Sequence, residues 1–185
     1  MIILGIDPGS NITGFGVVRS ENGKNELIDS GVIRASRVGT DHQLRLKQIY
    51  ESICELIEQH LPDLCAVEMP IYGKNPQSML KLGRAQATAM LAALNHQIPV
   101  TEYTPKEVKK AVTGNGNASK EQVCFMIETM LAVEPGSMVT LDASDALAVA
   151  LCHIHRGVGG QQGTTKRGPA KNWAAFIREN PDRLR

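Results

Sequence analysis

Two acidic residues stand directly after short apolar runs. Asp7 follows residues 2–6, Glu68 follows residues 64–67, and a proline comes soon after each acid. Such runs are typical of strands that are buried on both faces of a sheet. Because an unpaired carboxylate loses several kcal/mol of hydration when it is buried, we expect each of these side chains to be paired, to cap a helix or to bind a metal ion.

Two further acids, Asp142 and Asp145, lie on the last predicted helix. Their spacing places both on one face of that helix. The opposite face is apolar and is expected to pack on the sheet through Leu141, Leu147, Val149, Ala150, Leu151 and Ile154. Asp142 falls in the first turn, where the helix dipole favours an anion, so capping is an alternative role for it. Asp145 has no such alternative.

Together the four acids predict a metal site. Like charges at the ends of neighbouring strands and on an adjacent helix would destabilise one another unless divalent cations bound there. Ligands that are all carboxylates suit Mg²⁺, or Mn²⁺ in its place, rather than zinc. Two such ions about 3.5–4 Å apart would activate a water molecule and stabilise the leaving oxygen in an attack on a phosphodiester. The chemistry that fits is hydrolysis of a nucleic-acid backbone.

The first elements that must hold these acids are three strands with short connections. They are predicted over residues 2–6, 13–19 and 27–35, with turn signals between them, and read as an antiparallel meander. Beyond them helices and strands alternate: a helix capped by Asp41, a strand over 64–67, a helix over 76–95, a strand over 98–103, a short helix from Pro105, a helix capped by Asn117 or Ser119, and a last helix from near 140 to about 155. This order predicts an α/β fold with a five-stranded mixed sheet and helices on both faces.

The helix over residues 76–95 is rich in small side chains. They are Gly83, Ala85, Ala87, Ala89, Ala92 and Ala93. Small side chains allow a close approach to a neighbouring helix, either in the core or across a subunit interface.

Composition describes an ordinary globular protein, with 42% hydrophobic and 21% charged residues. No apolar run approaches the roughly 18 residues of a membrane span, and the chain opens on a strand rather than on a secretory signal. The four cysteines never form a C-x-x-C motif, which argues against a zinc site and a disulfide framework. We therefore expect a cytoplasmic protein without a membrane segment.

Charge divides the chain into two predicted parts, a domain over residues 1–156 and a flexible basic tail over 157–185. Residues 156–185 contain seven Lys or Arg and two Asp or Glu, a net +5, so the rest of the chain carries −4 of the total of +1. Within the domain, basic residues concentrate at Lys74, Lys81, Arg84, Lys106, Lys109, Lys110 and Lys120. This basic cluster is either an anion-binding surface or an ordinary solvated one.

Several stretches carry a resemblance to a known family. They are residues 3–16 (ILGIDPGSNITGFG), residues 66–68 (AVE) with Lys74 and Asn75 after them, residues 80–85 (LKLGRA) and residues 142–148 (DASDALA). In content and order they resemble the RuvC family of Holliday junction resolvases, from residue 2 to about residue 155.

The resemblance implies an RNase H-like fold, a homodimer and Mg²⁺-dependent, paired and symmetric incision of four-way DNA junctions in recombination and repair. It also implies a branch-migration motor of the RuvA–RuvB type as a partner. The catalytic, metal-binding acids of the family fall on Asp7, Glu68, Asp142 and Asp145.

The resemblance also assigns DNA-binding residues. The two lysines that contact DNA and support catalysis in this family fall on Lys109 and Lys120, and the helix over residues 76–95 becomes a candidate dimer interface. Lys74, Lys81 and Arg84 of the basic cluster are predicted as further DNA contacts. Ile71 stands where known members carry a stacking phenylalanine, with Tyr72 next to it. Either Tyr72 stacks on a base, or the wedge is aliphatic, or Tyr72 packs on its own loop. The basic tail either adds electrostatic affinity for DNA or is inert.

Two other classes of function remain open at this point. A nucleotide-binding or phosphotransfer protein of the actin and sugar-kinase type begins with a similar acid and glycines, but its second phosphate loop and adenosine-binding segment are not visible. A junction-binding scaffold without catalysis is the other, and the presence of all four acids argues against it.

Overall fold

The computed structural model describes residues 1–70, 73, 75–134 and 140–159, with side chains up to Arg156. The strands are β1 (Ile2–Asp7), β2 (Thr13–Glu21), β3 (Lys24–Ile33), β4 (Leu64–Glu68) and β5 (Val100–Tyr103). The helices are α1 (His42–His60), α2 (Pro76–Asn95), α3 (Pro105–Thr113), α4 (Lys120–Met130) and α5 (Leu141–Gly159), with a short 3₁₀ helix over Ala35–Val38.

Within these residues the strands form one mixed sheet in the order β3-β2-β1-β4-β5. The pairs β1–β2 and β2–β3 are antiparallel, whereas β1–β4 and β4–β5 are parallel. The predicted meander followed by parallel strands is therefore confirmed.

The predicted bounds of the third strand are wrong at both ends. Asn22 and Gly23 both have positive φ, 52° and 77°, the backbone of a tight two-residue hairpin turn. Pairing therefore continues to Glu21 and Lys24 instead of opening into a five-residue loop. At the far end β3 stops at Ile33, because the chain turns into the 3₁₀ helix at Ala35.

Helices cover both faces of the sheet, as predicted. Alternate residues of the central strands face opposite layers: Ile3 and Ala66 pack with α3, α4 and α5, whereas Leu4 and Val67 pack with α1 and α2. The small residues Ala85, Ala89, Ala92 and Ala93 of α2 are fully buried in the second layer. Of the two roles left open for them, they serve the core.

Helix α5 lies unusually close to the sheet because two strand positions are glycine. A Cβ on Gly5 would collide with the carbonyl oxygen of Ala146, and one on Gly14 would collide with that of Asp142. The buried face of α5 is as predicted for Leu147, Val149, Ala150, Leu151 and Ile154. Leu141, the first residue of the helix, is the exception, since it is 45% exposed.

Side-chain caps fix where the other helices start. Asp41 caps α1 as predicted, and Ser119 rather than Asn117 caps α4 in a reciprocal capping box with Gln122. None of the helices in the described part of the chain is long and apolar enough to cross a membrane. Helix α5 continues to Gly159, and the rest of the predicted tail lies outside the described residues.

Candidate active site

Asp7 and Glu68 end two adjacent parallel strands. Ile6 pairs with Val67, so the acids that follow them emerge side by side at one edge of the sheet. Both side chains lie in register with residues that face α5, Gly5 on β1 and Ala66 on β4. Strand register therefore aims both carboxylates toward the helix that carries the other two acids.

Helix α5 brings its acids to the same place. One carboxylate oxygen each from Asp7, Asp142 and Asp145 can be chosen so that all three lie within 4.8 Å of one another. The glycine at position 14 makes this possible, because it lets the first turn of α5 rest against β2. Glu68 lies outside this set of three but is electrostatically coupled to two of its members.

Burial and like charge raise the pKa of two of the acids. Burial, then the charges of Asp145 and Asp142, raises the pKa of Asp7 from 3.8 to about 7, against the opposing effect of Lys120. Burial, then the charges of Asp7 and Asp145, raises the pKa of Glu68 from 4.5 to about 8, against Lys120 and Lys109. Both carboxyls are therefore held largely protonated below neutral pH until a cation compensates their charge.

Two lysines provide part of that compensation. Lys120, the first residue of α4, makes an ion pair with Asp145, and this contact raises the pKa of its ammonium. Lys109 on α3 donates from Nζ to the carbonyl oxygen of Ala118 at 2.7 Å and so ties α3 to the loop before α4. Asp145, which the sequence left without a structural partner, is paired after all.

The donor set fits a divalent cation. Three carboxylates within reach of one ion, with Glu68 beside them and one ammonium opposite, offer oxygen ligands and excess negative charge. The four cysteines are dispersed and unpaired, and no thiolate is part of the cluster. The site is therefore suited to a hard metal ion, as its composition predicted.

The remaining predicted site residues divide into two groups. Lys81 and Arg84 lie on the exposed side of α2. Lys81 lines a pocket with the loop between β1 and β2, and Arg84 lies close enough to act on His42. Ile71, Tyr72 and Lys74 lie outside the described residues.

Two basic side chains near this loop were not singled out from the sequence. His42 and Arg45 line a pocket with Lys81. The sequence does not predict a functional role for them, because polar residues are expected on the exposed side of any amphipathic helix.

Comparison with known proteins gives close relatives. The crossover junction endodeoxyribonuclease RuvC of Salinibacter ruber is 54% identical over 184 residues, which cover 100% of this chain and 99% of that protein. The solved structure of Thermus thermophilus RuvC has a TM-score of 0.77 at 31% identity and covers 86% of this chain and 97% of its own. The same protein in complex with a Holliday junction substrate gives a TM-score of 0.76 at 28% identity, with the same coverage.

Fold and site together define a nuclease of the RNase H-like class, with three acids that could hold a metal ion. The sequence model of the family described as crossover junction endodeoxyribonuclease RuvC matches residues 3–153. The chain belongs to the RuvC family, as the resemblance indicated. This membership argues against the actin and sugar-kinase alternative.

Proposed function

We propose that this protein resolves four-way DNA junctions by paired, symmetric, metal-dependent hydrolysis of phosphodiester bonds in homologous recombination and repair. The observation that carries the proposal is the convergence of Asp7, Asp142 and Asp145 at the end of the central strands in a chain of the RuvC family. Glu68 completes the set of acids, on the adjacent strand end.

Asp7, Glu68, Asp142 and Asp145 would hold the metal, which we take to be Mg²⁺, or Mn²⁺ in its place, with two ions per site. Such ions, when bound, activate a water molecule and stabilise the leaving oxygen. Asp7 and Glu68 hold protons near neutral pH in the present arrangement, so loading of the site releases protons. Lys120 keeps Asp145 oriented before loading, and afterwards its ammonium is available to a DNA phosphate.

DNA contacts extend beyond the acids. Lys109 on α3 and Lys120 on α4 act on Glu68, and Lys81 and Arg84 are exposed on α2. Neutralisation of phosphates by these side chains would make junction binding strongly dependent on salt. The stacking contact assigned to Ile71 or Tyr72, the phosphate contact of Lys74 and the contribution of the tail over residues 157–185 belong to the same proposal.

A homodimer would supply two active sites for two strands of like polarity. Helix α2 offers the interface, since its outer side exposes Leu80, Leu91 and Leu94, which are 56%, 54% and 52% exposed. With Ala87 between them they follow helical spacing and form a mainly apolar stripe, which also contains Arg84. The further proposed setting is cytoplasmic, with a branch-migration motor of the RuvA–RuvB type as partner.

The decisive experiment compares a synthetic four-way junction with a linear duplex of the same sequence, each with and without Mg²⁺. Paired nicks at symmetric positions in the junction, dependent on the metal, are expected. Equal cutting of the duplex, or cutting in EDTA, would contradict the proposal.

A further inference from the structure

A second basic feature lies beside the active site, on the opposite face of the sheet from Lys109 and Lys120. It is a pocket of about 310 Å³, formed by the loop between β1 and β2, the start of α1 and the first turns of α2. Its lining includes Ser10, Asn11, His42, Arg45, Ser78 and Lys81. We call it the Arg45 pocket.

The Arg45 guanidinium is held in place by the protein. Its Nε donates to the carbonyl oxygen of Gly39 at 2.7 Å, and its Nη1 donates to the side-chain oxygen of Asn11. A guanidinium has five N–H donors, so further donors remain for a molecule in the pocket. A cation that is fixed in advance binds an anion with little loss of side-chain freedom.

The charges around the pocket are unbalanced. Lys81 makes no ion pair with any of the described residues, and Arg84 lies close enough to act on His42. Burial, then the charges of Arg84, Lys81 and Arg45, lowers the pKa of His42. Asp41, which faces the same group, acts in the opposite direction, but its carboxylate is engaged in capping α1 through the backbone N–H of Gln43.

The imidazole of His42, which lines the pocket, carries a polar atom without a partner in the described part of the chain. Nε2 of His42 is buried and has no hydrogen-bond partner among the residues that the structure describes. A buried polar atom without a partner costs about 1–3 kcal/mol. Ser10 and Ser78 line the same space with hydroxyls.

We propose that the Arg45 pocket binds a backbone phosphate of the DNA strand that is cut, a few nucleotides from the scissile bond. This inference rests on the proposed function. Ser10 is three residues after Asp7 in the chain, which limits their Cα atoms to about 11 Å apart, so one DNA strand can reach both. With Lys109 and Lys120 on the other face, the strand is held on both sides of the acids.

The first test measures the affinity of the full-length protein for a fluorescent four-way junction in EDTA, over a series of NaCl concentrations. Arg45→Gln and Lys81→Gln should each bind about tenfold more weakly at low salt, since one charge-assisted contact is lost. In either variant, the slope of log affinity against log salt should be smaller than in wild type by about one for each pocket that no longer binds a phosphate.

Lys47→Gln is the matched control, because it removes a charge from the same helix at an exposed ion pair with Glu51. It should bind as wild type does. Melting temperatures check that all variants are folded.

The second test replaces single phosphates of the junction by neutral methylphosphonate. One position near the cut should weaken wild-type binding as much as Arg45→Gln does, and the combination should weaken it no further. Additive losses at every position, or equal binding by Arg45→Gln and Lys47→Gln, would overturn the proposal.

Inorganic phosphate could also stabilise wild type while Arg45→Gln binds the junction as wild type does. That result would assign the pocket to free phosphate and would also overturn the proposal. Cleavage of the junction by wild type reports separately on the proposed function.

Discussion

At the scale of single residues, Asp7 is one of two acids, among the described residues, whose pKa the fold raises strongly. It ends a strand whose central residues are buried and lies close to two other aspartates, and this environment raises its pKa from 3.8 to about 7. An acid with a raised pKa lowers the stability of the folded state whenever it is ionised. The ionised acids therefore lower the stability of the folded state as long as no cation compensates their charge.

Asp7→Asn tests this effect on stability. Because the folded state binds the extra proton between pH 3.8 and about 7, wild type loses stability as the pH rises through that window, and the loss is complete above it. In EDTA the variant should be more stable than wild type by roughly 2–4 kcal/mol at pH 8, and about equally stable near pH 4. It should still bind junctions but should not cut them, whereas Mg²⁺ should narrow the stability difference by stabilising wild type.

Thermal unfolding at several pH values measures the difference in stability, and a junction cleavage assay measures the loss of cutting. Glu55→Gln is a suitable control, since it makes the same change at an exposed position on α1. Cleavage by Asp7→Asn at the wild-type rate would contradict the assignment of the acids.

At the scale of elements, the contact between α5 and the sheet decides whether a site exists. Strand register alone brings Asp7 and Glu68 together, but Asp142 and Asp145 arrive only because the first turn of α5 rests on β2. Gly14 makes room for that turn, since a Cβ there would collide with the carbonyl oxygen of Asp142. A position on a strand thus sets the place of two acids on a helix.

Gly14→Ala should separate α5 from β2. The added methyl group meets backbone rather than a side chain that could move, so we expect a loss of about 1–3 kcal/mol in the free energy of unfolding. Cleavage should fall by far more than the loss of folded protein explains. Denaturant unfolding and cleavage of a junction by the folded fraction measure the two effects.

Gly83→Ala is the matched control, because a Cβ at that helical position meets nothing within 4 Å. It should gain about 0.5–1 kcal/mol. If Gly14→Ala kept full activity, the close approach of α5 would not be what positions Asp142.

Local sequence patterns predict some of these features but not others. The acids at the strand ends, the sequence of strands and helices along the chain and the cap at Asp41 are local patterns, and they were predicted; the cap of α4 was left open between Asn117 and Ser119. The ion pair between Lys120 and Asp145 joins residues 25 positions apart, so no local spacing reveals it. The Arg45 pocket was missed for the same reason, since it draws its lining from three separate segments.

At the scale of the whole molecule, α2 has two sides with different roles. Its small residues Ala85, Ala89, Ala92 and Ala93 face the core, and no property of small residues alone could tell that use from a subunit contact. The outer side instead exposes Leu80, Leu91 and Leu94. Such a stripe on a core-covering helix indicates an interaction surface, and a second copy of the chain would extend it by two-fold symmetry.

Leu91→Glu tests that assembly, because it puts a charge near the centre of the stripe without touching the core or the acids. The variant should sediment as single chains where wild type sediments as dimers, since an unpaired charge is costly in an apolar interface. Leu61→Glu changes another exposed leucine, 75% exposed at the end of α1, and should stay dimeric.

On a cruciform plasmid, in which both cuts must fall within one binding event to give a linear product, Leu91→Glu should release mainly nicked circles. Each active site is built from one chain, so the acids remain intact and single nicks persist. A monomeric variant that still linearised the plasmid at the wild-type rate would show that paired incision does not depend on the α2 stripe.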